Sequence, residues 1–137
     1  MSQDNVETVR RGFEGFTATG ELRPERFHPE FVWDMSTFRG WPEQQTYDGL
    51  EGAQKFLGDW LEAWDDWELE PEEYLDAGGD KVVVIMRQRG RAKATGVTIE
   101  MHFAQVWTFK DGLQVRMQMY ASPAEAIEAT GLGGQTP

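Results

Sequence analysis

The stretch VTIEMHFAQVWTFKDGLQVRMQMY, residues 97–120, alternates bulky apolar and polar side chains on both sides of one turn dipeptide. Asp111-Gly112 favours a two-residue hairpin turn, because both residues tolerate the positive φ that the turn requires. The stretch therefore predicts two antiparallel strands, residues 97–110 and 113–120. We expect the rest of the chain to be arranged around this hairpin.

Successive side chains of a strand point to opposite faces, so the hairpin can be divided into two faces. The face expected to lie under helices and to line a pocket carries Ile99, Met101, Phe103, Gln105, Trp107, Phe109, Arg116, Gln118 and Tyr120. The opposite face of the hairpin is also apolar in part, with Ala104, Val106, Val115, Met117 and Met119. Val83 and Ile85 of the strand predicted at 81–89 extend this apolar face. Because a monomer rarely exposes so much apolar surface, we predict a homodimer through this outer face. The alternative is a half-apolar outer face in a monomer.

The segments before and after the hairpin add helices and three more strands. Helical periodicity predicts a first helix between a capping box at Asp4 and Gly20, a short helix at 24–28 and a long helix from Asp48 through Trp64. Strands are predicted at 31–35, 67–76 and 81–89, with Pro71 indicating an edge position or a bulge. Residues 36–47 are predicted to be a loop, and Ser122-Pro123 begins a last helix that ends at Gly131. Helices and strands are thus segregated, which is typical of the α+β class.

Composition excludes several classes of function. The formal net charge of −11 argues against binding to nucleic acid and to anionic membranes. The chain has no cysteine, and its acidic runs at 65–66 and 70–73 lack the alternating pattern of a calcium loop, so we expect no metal and no cofactor. One domain over residues 1–137, in the cytoplasm, is the expected organisation.

Four segments together resemble a known family: Phe27–Asp34, Tyr47–Gly49, Val106–Gly112 and Ala124–Gly131. Through them the chain resembles SnoaL-like proteins of the nuclear transport factor 2-like and ketosteroid isomerase-like superfamily. The resemblance extends over about residues 5–132 and leaves 133–137 as a flexible tail. It implies a cone-shaped fold, with helices over the concave face of a curved antiparallel sheet, a pocket between them, and a dimer.

The resemblance also directs attention to the end of the first strand. The general base of the isomerases aligns with Met35, so Asp34 lies one residue earlier, where a regular strand would turn it to the opposite face. Asp34 is the candidate catalytic base, and the alternatives are that it pairs with an arginine or caps a loop. The position of the oxyanion-binding acid aligns with Gln105. Gln105 is expected to act together with Arg116, Gln118 and Tyr120. These four side chains would either bind a carbonyl or carboxylate oxygen of a ligand, or form hydrogen bonds with one another and with Asp34.

Aromatic and apolar side chains are expected to form the remaining wall of the pocket. They are Trp33, Met35, Trp41, Tyr47, Trp60, Phe103 and Trp107. Most of them must also be core residues, whereas Trp41 and Tyr47 lie on the predicted loop and are the better candidates for ligand contact. His102 is assigned to the outer face, beside Glu100 and Arg87, as an interface residue.

Two hypotheses of function follow. The first is a cofactor-independent isomerase, cyclase or hydrolase that acts on a small hydrophobic molecule, with Asp34 transferring the proton. The second is a noncatalytic protein of the same fold, which binds a ligand or serves as a dimeric scaffold. The direction of the Asp34 side chain distinguishes the two hypotheses.

Overall fold

The computed structural model describes residues 2–20, 22–38 and 46–131. The predicted ligand contact Trp41 and the predicted tail 133–137 lie outside these residues. Within them the elements are α1 (Ser2–Thr19), a 3-10 turn (Pro24–Arg26), β1 (Phe27–Asp34), β2 (Thr46–Asp48), α2 (Gly49–Glu62), β3 (Trp64–Gly78), β4 (Lys81–Ala92), β5 (Thr98–Lys110), β6 (Leu113–Tyr120) and α3 (Pro123–Thr130).

The strands form one curved sheet in the order β2-β1-β6-β5-β4-β3. Neighbours are antiparallel except β1 and β6, which run parallel. The predicted α+β class is confirmed. Two local predictions are wrong: the loop at 36–47 contains the short strand β2, and Trp64 begins β3 instead of continuing the helix. Pro71 was predicted at an edge position or a bulge, and both are found. β3 is an edge strand, and its register with β4 shifts between Pro71 and Glu73.

A β-bulge at Val115 decides which side chains of β6 face the helices. Phe109 pairs with Gln114, but Thr108 pairs with Arg116, so Val115 has no partner residue on β5. One extra residue in a strand moves every later side chain to the opposite face. The predicted faces of β6 are therefore exchanged beyond the bulge, because the hairpin turn alone gives an uninterrupted register.

The concave face of the sheet packs against α1 and α2. Val9 of α1 and Phe56 of α2 are each 1% exposed, and both belong to the main hydrophobic core. Met117 and Met119, which were predicted on the outer face, lie in this core as well. None of the helices in the described residues has the length and apolarity needed to cross a lipid bilayer.

The opposite face of the sheet is covered by α3. Ala126 of this helix is fully buried in a second, separate hydrophobic cluster with Val83, Ile85, Ala104 and Val106. Ser122 caps α3 as predicted, since its hydroxyl oxygen accepts a hydrogen bond from the Glu125 amide at 3.3 Å. The apolar part of the outer face is thus buried within the chain. The homodimer stays a prediction, but of the seven apolar residues that motivated it six are buried within the chain and Val115 is half-buried.

The capping box predicted at Asp4 is not formed, and the Asp48 side chain does not cap α2. Helix α1 begins at Ser2, before Asp4, and Glu7 binds Arg10 and Arg11 instead of a backbone amide. Asp48 occupies the N-cap position of α2, but its side chain makes no capping hydrogen bond. Both helices are therefore held mainly by their packing on the sheet.

Gly52 marks the closest approach between α2 and β2. A Cβ atom at Gly52 would lie 2.8 Å from the carbonyl carbon of Tyr47, a residue that is itself fully buried. We expect Gly52→Ala to lower the free energy of unfolding by about 1–3 kcal/mol, because the backbones must separate. Gly58 in the same helix is exposed and has open space at its Cβ position, so Gly58→Ala should raise that free energy by about 0.5–1 kcal/mol. Urea denaturation measures both changes, and a Gly52→Ala variant as stable as the parent contradicts the close approach.

Candidate ligand-binding site

A cavity of about 70 Å³ lies between the concave face of the sheet and the helices α1 and α2. Its apolar wall comes from both helices and from five strands. The residues are Val9, Phe13, Phe16, Leu22, Phe27, Trp33, Phe56, Leu57, Trp60, Trp67, Leu69, Met86, Phe103, Trp107 and Met119. The remaining lining residues are Gly12, Arg23, Arg26, Gln88, Gln105 and Gln114.

Trp107 is the centre of the aromatic wall. Its ring stacks on Phe31 at 6.0 Å between centroids and meets Trp33, Phe27 and Phe13 edge-on. Because ring faces are electron-rich and ring edges are electron-poor, these edge-on contacts are favourable in addition to the burial. The wall is therefore fixed by mutual contacts rather than free to reorient around a ligand.

Two glutamines on the floor of the cavity are each bound by a tryptophan. The Trp107 indole donates to Gln105 Oε1 at 3.0 Å, and the Trp60 indole donates to Gln88 Oε1 at 2.7 Å. An indole nitrogen can only donate, so each glutamine must turn its oxygen to the indole and its NH2 group away. The Gln88 NH2 group lies 3.6 Å from the Met101 sulfur. The Gln105 NH2 group has no hydrogen-bond acceptor among the described side chains, which leaves two donors beside the cavity.

Two arginines stand at the exposed side of the cavity. Arg26 ends the 3-10 turn, and its guanidinium lies 3.4 Å from the Thr8 hydroxyl of α1. Arg23 precedes the turn and reaches across Gly15 of the same helix. Gly12, one turn earlier in α1, lines the cavity with open space at its Cβ position. The mouth is thus bordered by two cations and one position without a side chain.

The described lining of the cavity contains no group that commonly transfers protons. Among the described residues that surround the cavity there is no carboxylate, imidazole, phenol or primary amine. Within the same part of the chain, no cluster of histidine, aspartate or glutamate is arranged to hold a metal ion. What the cavity offers is apolar contact, amide donors at its floor and guanidinium donors at its mouth.

The structure separates the predicted site residues into three groups. Trp33, Trp60, Phe103, Gln105 and Trp107 line the cavity. Met35 and Tyr47 are fully buried but do not line it; Tyr47 belongs to β2 and packs on Phe56 with 5.5 Å between the ring centroids. Arg116, Gln118 and Tyr120 lie on the opposite face of the sheet, as the partners of Thr108, Val106 and Ala104. The prediction that these three residues face the pocket is wrong, and the bulge at Val115 is the reason.

Asp34 lies on the same outer face as Arg116. It pairs with Gln118 across the parallel β1–β6 ladder, and its carboxylate accepts hydrogen bonds from Arg116 at 2.5 Å and from the Ser36 amide at 2.8 Å. Burial acts to raise the pKa of Asp34, but the hydrogen bonds from Ser36 and the Arg116 charge outweigh it, so the pKa lies below its ordinary value. A carboxylate that is bound in this way and points away from the cavity is the ion pair that we named as one alternative to a catalytic base.

Tyr120 is influenced by the same ion pair. Burial and the neighbouring negative charge of Asp34 both raise the pKa of its phenol, so it stays protonated at neutral pH. Further along the outer face, the Glu72 carboxylate binds Arg87 at 2.6 Å and His102 at 2.8 Å, and the hydrogen bond from Arg87 is the main cause of its lowered pKa. His102 is thus on the outer face beside Arg87, and its interface role stays a prediction.

Several lining residues were missed by the sequence analysis. Gln88 shares a face with Val82, Val84 and Met86 in β4, so alternation along this strand does indicate its position. Met119 was assigned to the wrong face because of the bulge. Arg23 and Arg26 had no signal, since they lie outside the regular helices and strands that periodicity describes.

Comparison with known proteins shows the family. Residues 7–117 match the model of the SnoaL-like domain, and the chain belongs to this family. Its fold is shared with TerC co-crystallised with polyporic acid, at 24% identity over 93% of this chain and 98% of that chain with a TM-score of 0.69. It is shared with a protein of Jannaschia sp. CCS1 assigned as a SnoaL-like polyketide cyclase, at 23% identity over 98% and 94% of the two chains with a TM-score of 0.70. A Catenulispora acidiphila protein with a ketosteroid isomerase-like fold, in complex with trimethylamine, matches at 15% identity over 83% and 84% with a TM-score of 0.59. No curated protein matches the sequence.

We expect Asp34→Asn to lower the free energy of unfolding at pH 7 by about 1–3 kcal/mol, because it removes a charged hydrogen bond to a carboxylate of which 4% is exposed. The pKa of Asp34 is lower in the folded than in the unfolded protein, where it is about 3.9. The ionised carboxylate therefore stabilises the fold at any pH above about 3.9. This stabilisation is lost as the pH falls through the pKa of the folded state. The difference between parent and variant should therefore shrink below about pH 4. Chemical denaturation between pH 3 and pH 7 measures it.

Asp59→Asn is the matched control for this variant. Asp59 forms an exposed pair with Lys55 at 3.2 Å, so its loss should change stability by less than about 0.5 kcal/mol. If Asp34→Asn costs no more than this control, the Asp34–Arg116 pair does not stabilise the fold.

Proposed function

We propose that this protein reversibly binds a small, largely apolar molecule that carries a carbonyl oxygen. The observation that carries the proposal is the Gln105 side chain, whose oxygen is held by Trp107 and whose NH2 group is left beside an apolar cavity. A ligand oxygen in the cavity would accept a hydrogen bond from this NH2 group, and the hydrogen bond would be stronger there than in open water because the surroundings are apolar. The surrounding rings supply the contact area for the rest of the molecule.

Binding, rather than isomerase, cyclase or hydrolase turnover, is the function that this geometry favours. General acid–base catalysis needs a proton-transfer group within hydrogen-bond reach of the substrate. The candidate base Asp34 is bound to Arg116 on the far side of the sheet, and the described lining supplies no replacement. The complexes of TerC with polyporic acid and of the Catenulispora protein with trimethylamine are support from the same fold for a small-molecule site.

The size of the cavity limits how the ligand enters. A cavity of about 150 Å³ is known to hold benzene, whereas this one measures about 70 Å³. A two-ring ligand therefore requires side chains at the mouth to change rotamer. Leu22 and Leu57 are only partly buried and can do so at less cost than the aromatic rings packed around Trp107.

The hydrogen bond from Gln105 is tested with two ligands of nearly equal shape, 2-acetylnaphthalene and 2-ethylnaphthalene. The parent protein should bind the ketone about 2–10 times more tightly, which corresponds to one net hydrogen bond. Gln105→Leu should abolish this preference and leave the affinity for the hydrocarbon nearly unchanged. Displacement of the neutral fluorophore N-phenyl-1-naphthylamine measures both affinities.

Gln88→Leu is the control, because it removes the other glutamine of the cavity floor and should keep the preference for the ketone. A preference for the ketone that survives Gln105→Leu contradicts the assigned donor. Failure of all three naphthalene compounds to bind the parent protein contradicts the proposed function.

Blocking the mouth from α1 tests the position of the ligand. Gly12→Leu should weaken binding of N-phenyl-1-naphthylamine at least tenfold, because the new side chain projects into the open space that borders the cavity. Gly58→Leu introduces the same side chain at an exposed position in α2 and should leave the affinity unchanged. Equal affinities of the two variants would show that the fluorophore binds elsewhere.

A further inference from the structure

The arginines at the mouth differ from most others in this acidic protein. Arg10, Arg11, Arg87, Arg91 and Arg116 each form an ion pair. Within residues 2–20, 22–38 and 46–131, no carboxylate lies within ion-pair distance of Arg23, Arg26 or Arg89. Two of these three border the same cavity. In a chain with 24 carboxylates and 13 cationic side chains, two neighbouring arginines that have no acidic partner among the described residues are unexpected.

The protein holds Arg26 by hydrogen bonds, and Arg23 lies beside α1. The backbone oxygen of Arg26 accepts a hydrogen bond from the Gln114 side chain at 3.5 Å, and the Arg26 guanidinium lies against Thr8. Arg23 lies across Gly15, where a Cβ atom would be 3.4 Å from its Nε atom. The absence of a side chain at Gly15 thus leaves room for Arg23 beside α1. These contacts use few of the ten N–H donors that the two groups carry.

An apolar cavity with donors of this kind at its rim selects for a particular ligand chemistry. A guanidinium offers two parallel N–H donors that match the two oxygens of a carboxylate. Such a pair is stronger at the edge of an apolar cavity than in open water, because less solvent screens it. The net charge of −11 repels anions at long range, so any preference for an anion must come from contact at the mouth itself.

We propose that the ligand is a hydrophobic carboxylic acid, bound as the carboxylate, with Arg23 and Arg26 holding its acid group at the mouth and the aromatic wall holding its body. This assignment rests on the proposed function and adds the ligand class to it. Gln105 remains the donor for a carbonyl oxygen of the same molecule.

The test compares 2-naphthylacetate with its neutral isostere 2-naphthylacetamide by isothermal titration calorimetry at pH 7.5. The parent protein should bind the carboxylate at least tenfold more tightly than the amide. The double variant Arg23→Gln/Arg26→Gln should bind the two compounds equally, with the affinity for the amide within about twofold of the parent value. Unchanged thermal unfolding checks the fold, and the single variant Arg23→Gln, which alters an exposed side chain, replaces the double variant if that one is unstable.

Arg89→Gln/Lys93→Gln is the matched control, because it removes the same amount of charge at positions that do not line the cavity. It should keep the preference for the carboxylate. Three outcomes overturn the assignment. The parent protein binds the acid and the amide equally, the Arg23/Arg26 variant keeps the preference for the carboxylate, or the control variant loses that preference to the same extent. If N-phenyl-1-naphthylamine and the amide bind while the acid binds no better, only the anion site is wrong. If none of them binds, the proposed function is wrong as well.

Discussion

The extra residue at Val115 is the constraint on which the arrangement of the site depends. It turns Met117 and Met119 toward the helices and Arg116, Gln118 and Tyr120 toward the opposite face. β1 pairs with β6 in the same sheet, so residues that are partners in the two strands lie on the same face. Trp33 lies on the inner face with Met117, and Asp34 lies on the outer face with Gln118. A single bulge thus places the polar cluster and the cavity on different sides of one sheet.

The fold class, the order of all strands except β2 and the inner face of β5 were predictable, because alternation and turn residues are local signals. Phe103, Gln105 and Trp107 were assigned to the correct face from their spacing alone. The face of Arg116 was not predictable. A bulge shifts the register by one residue, and the face assignment had assumed uninterrupted alternation from the turn onward. Arg23 and Arg26 were missed for a related reason, since only tertiary structure brings a 3-10 turn to the mouth of the cavity.

The cavity floor illustrates how buried polar groups are accommodated. Trp60 and Trp107 bring indole N–H groups into an apolar interior, and Gln88 and Gln105 supply the acceptors. Leaving either indole unpaired would cost more than the hydrogen bond itself contributes. Each amide that satisfies an indole also carries two N–H donors of its own. Pairing Trp60 and Trp107 thus places amide groups in the cavity wall, whereas the buried indole nitrogens of Trp64 and Trp67 have no partner among the described residues.

The position of β3 at the edge of the sheet has a consequence for how the protein behaves in concentrated solution. A long edge strand is a template on which a second chain can add its own strand and begin an ordered aggregate. Here the fifteen-residue strand carries Glu68, Glu70, Glu72 and Glu73, has Pro71 at its centre and changes register there. An incoming strand would meet like charges, a missing amide donor and an irregular spacing at the same place. The acidic character of the chain is, at this edge, a barrier to self-association through strand pairing.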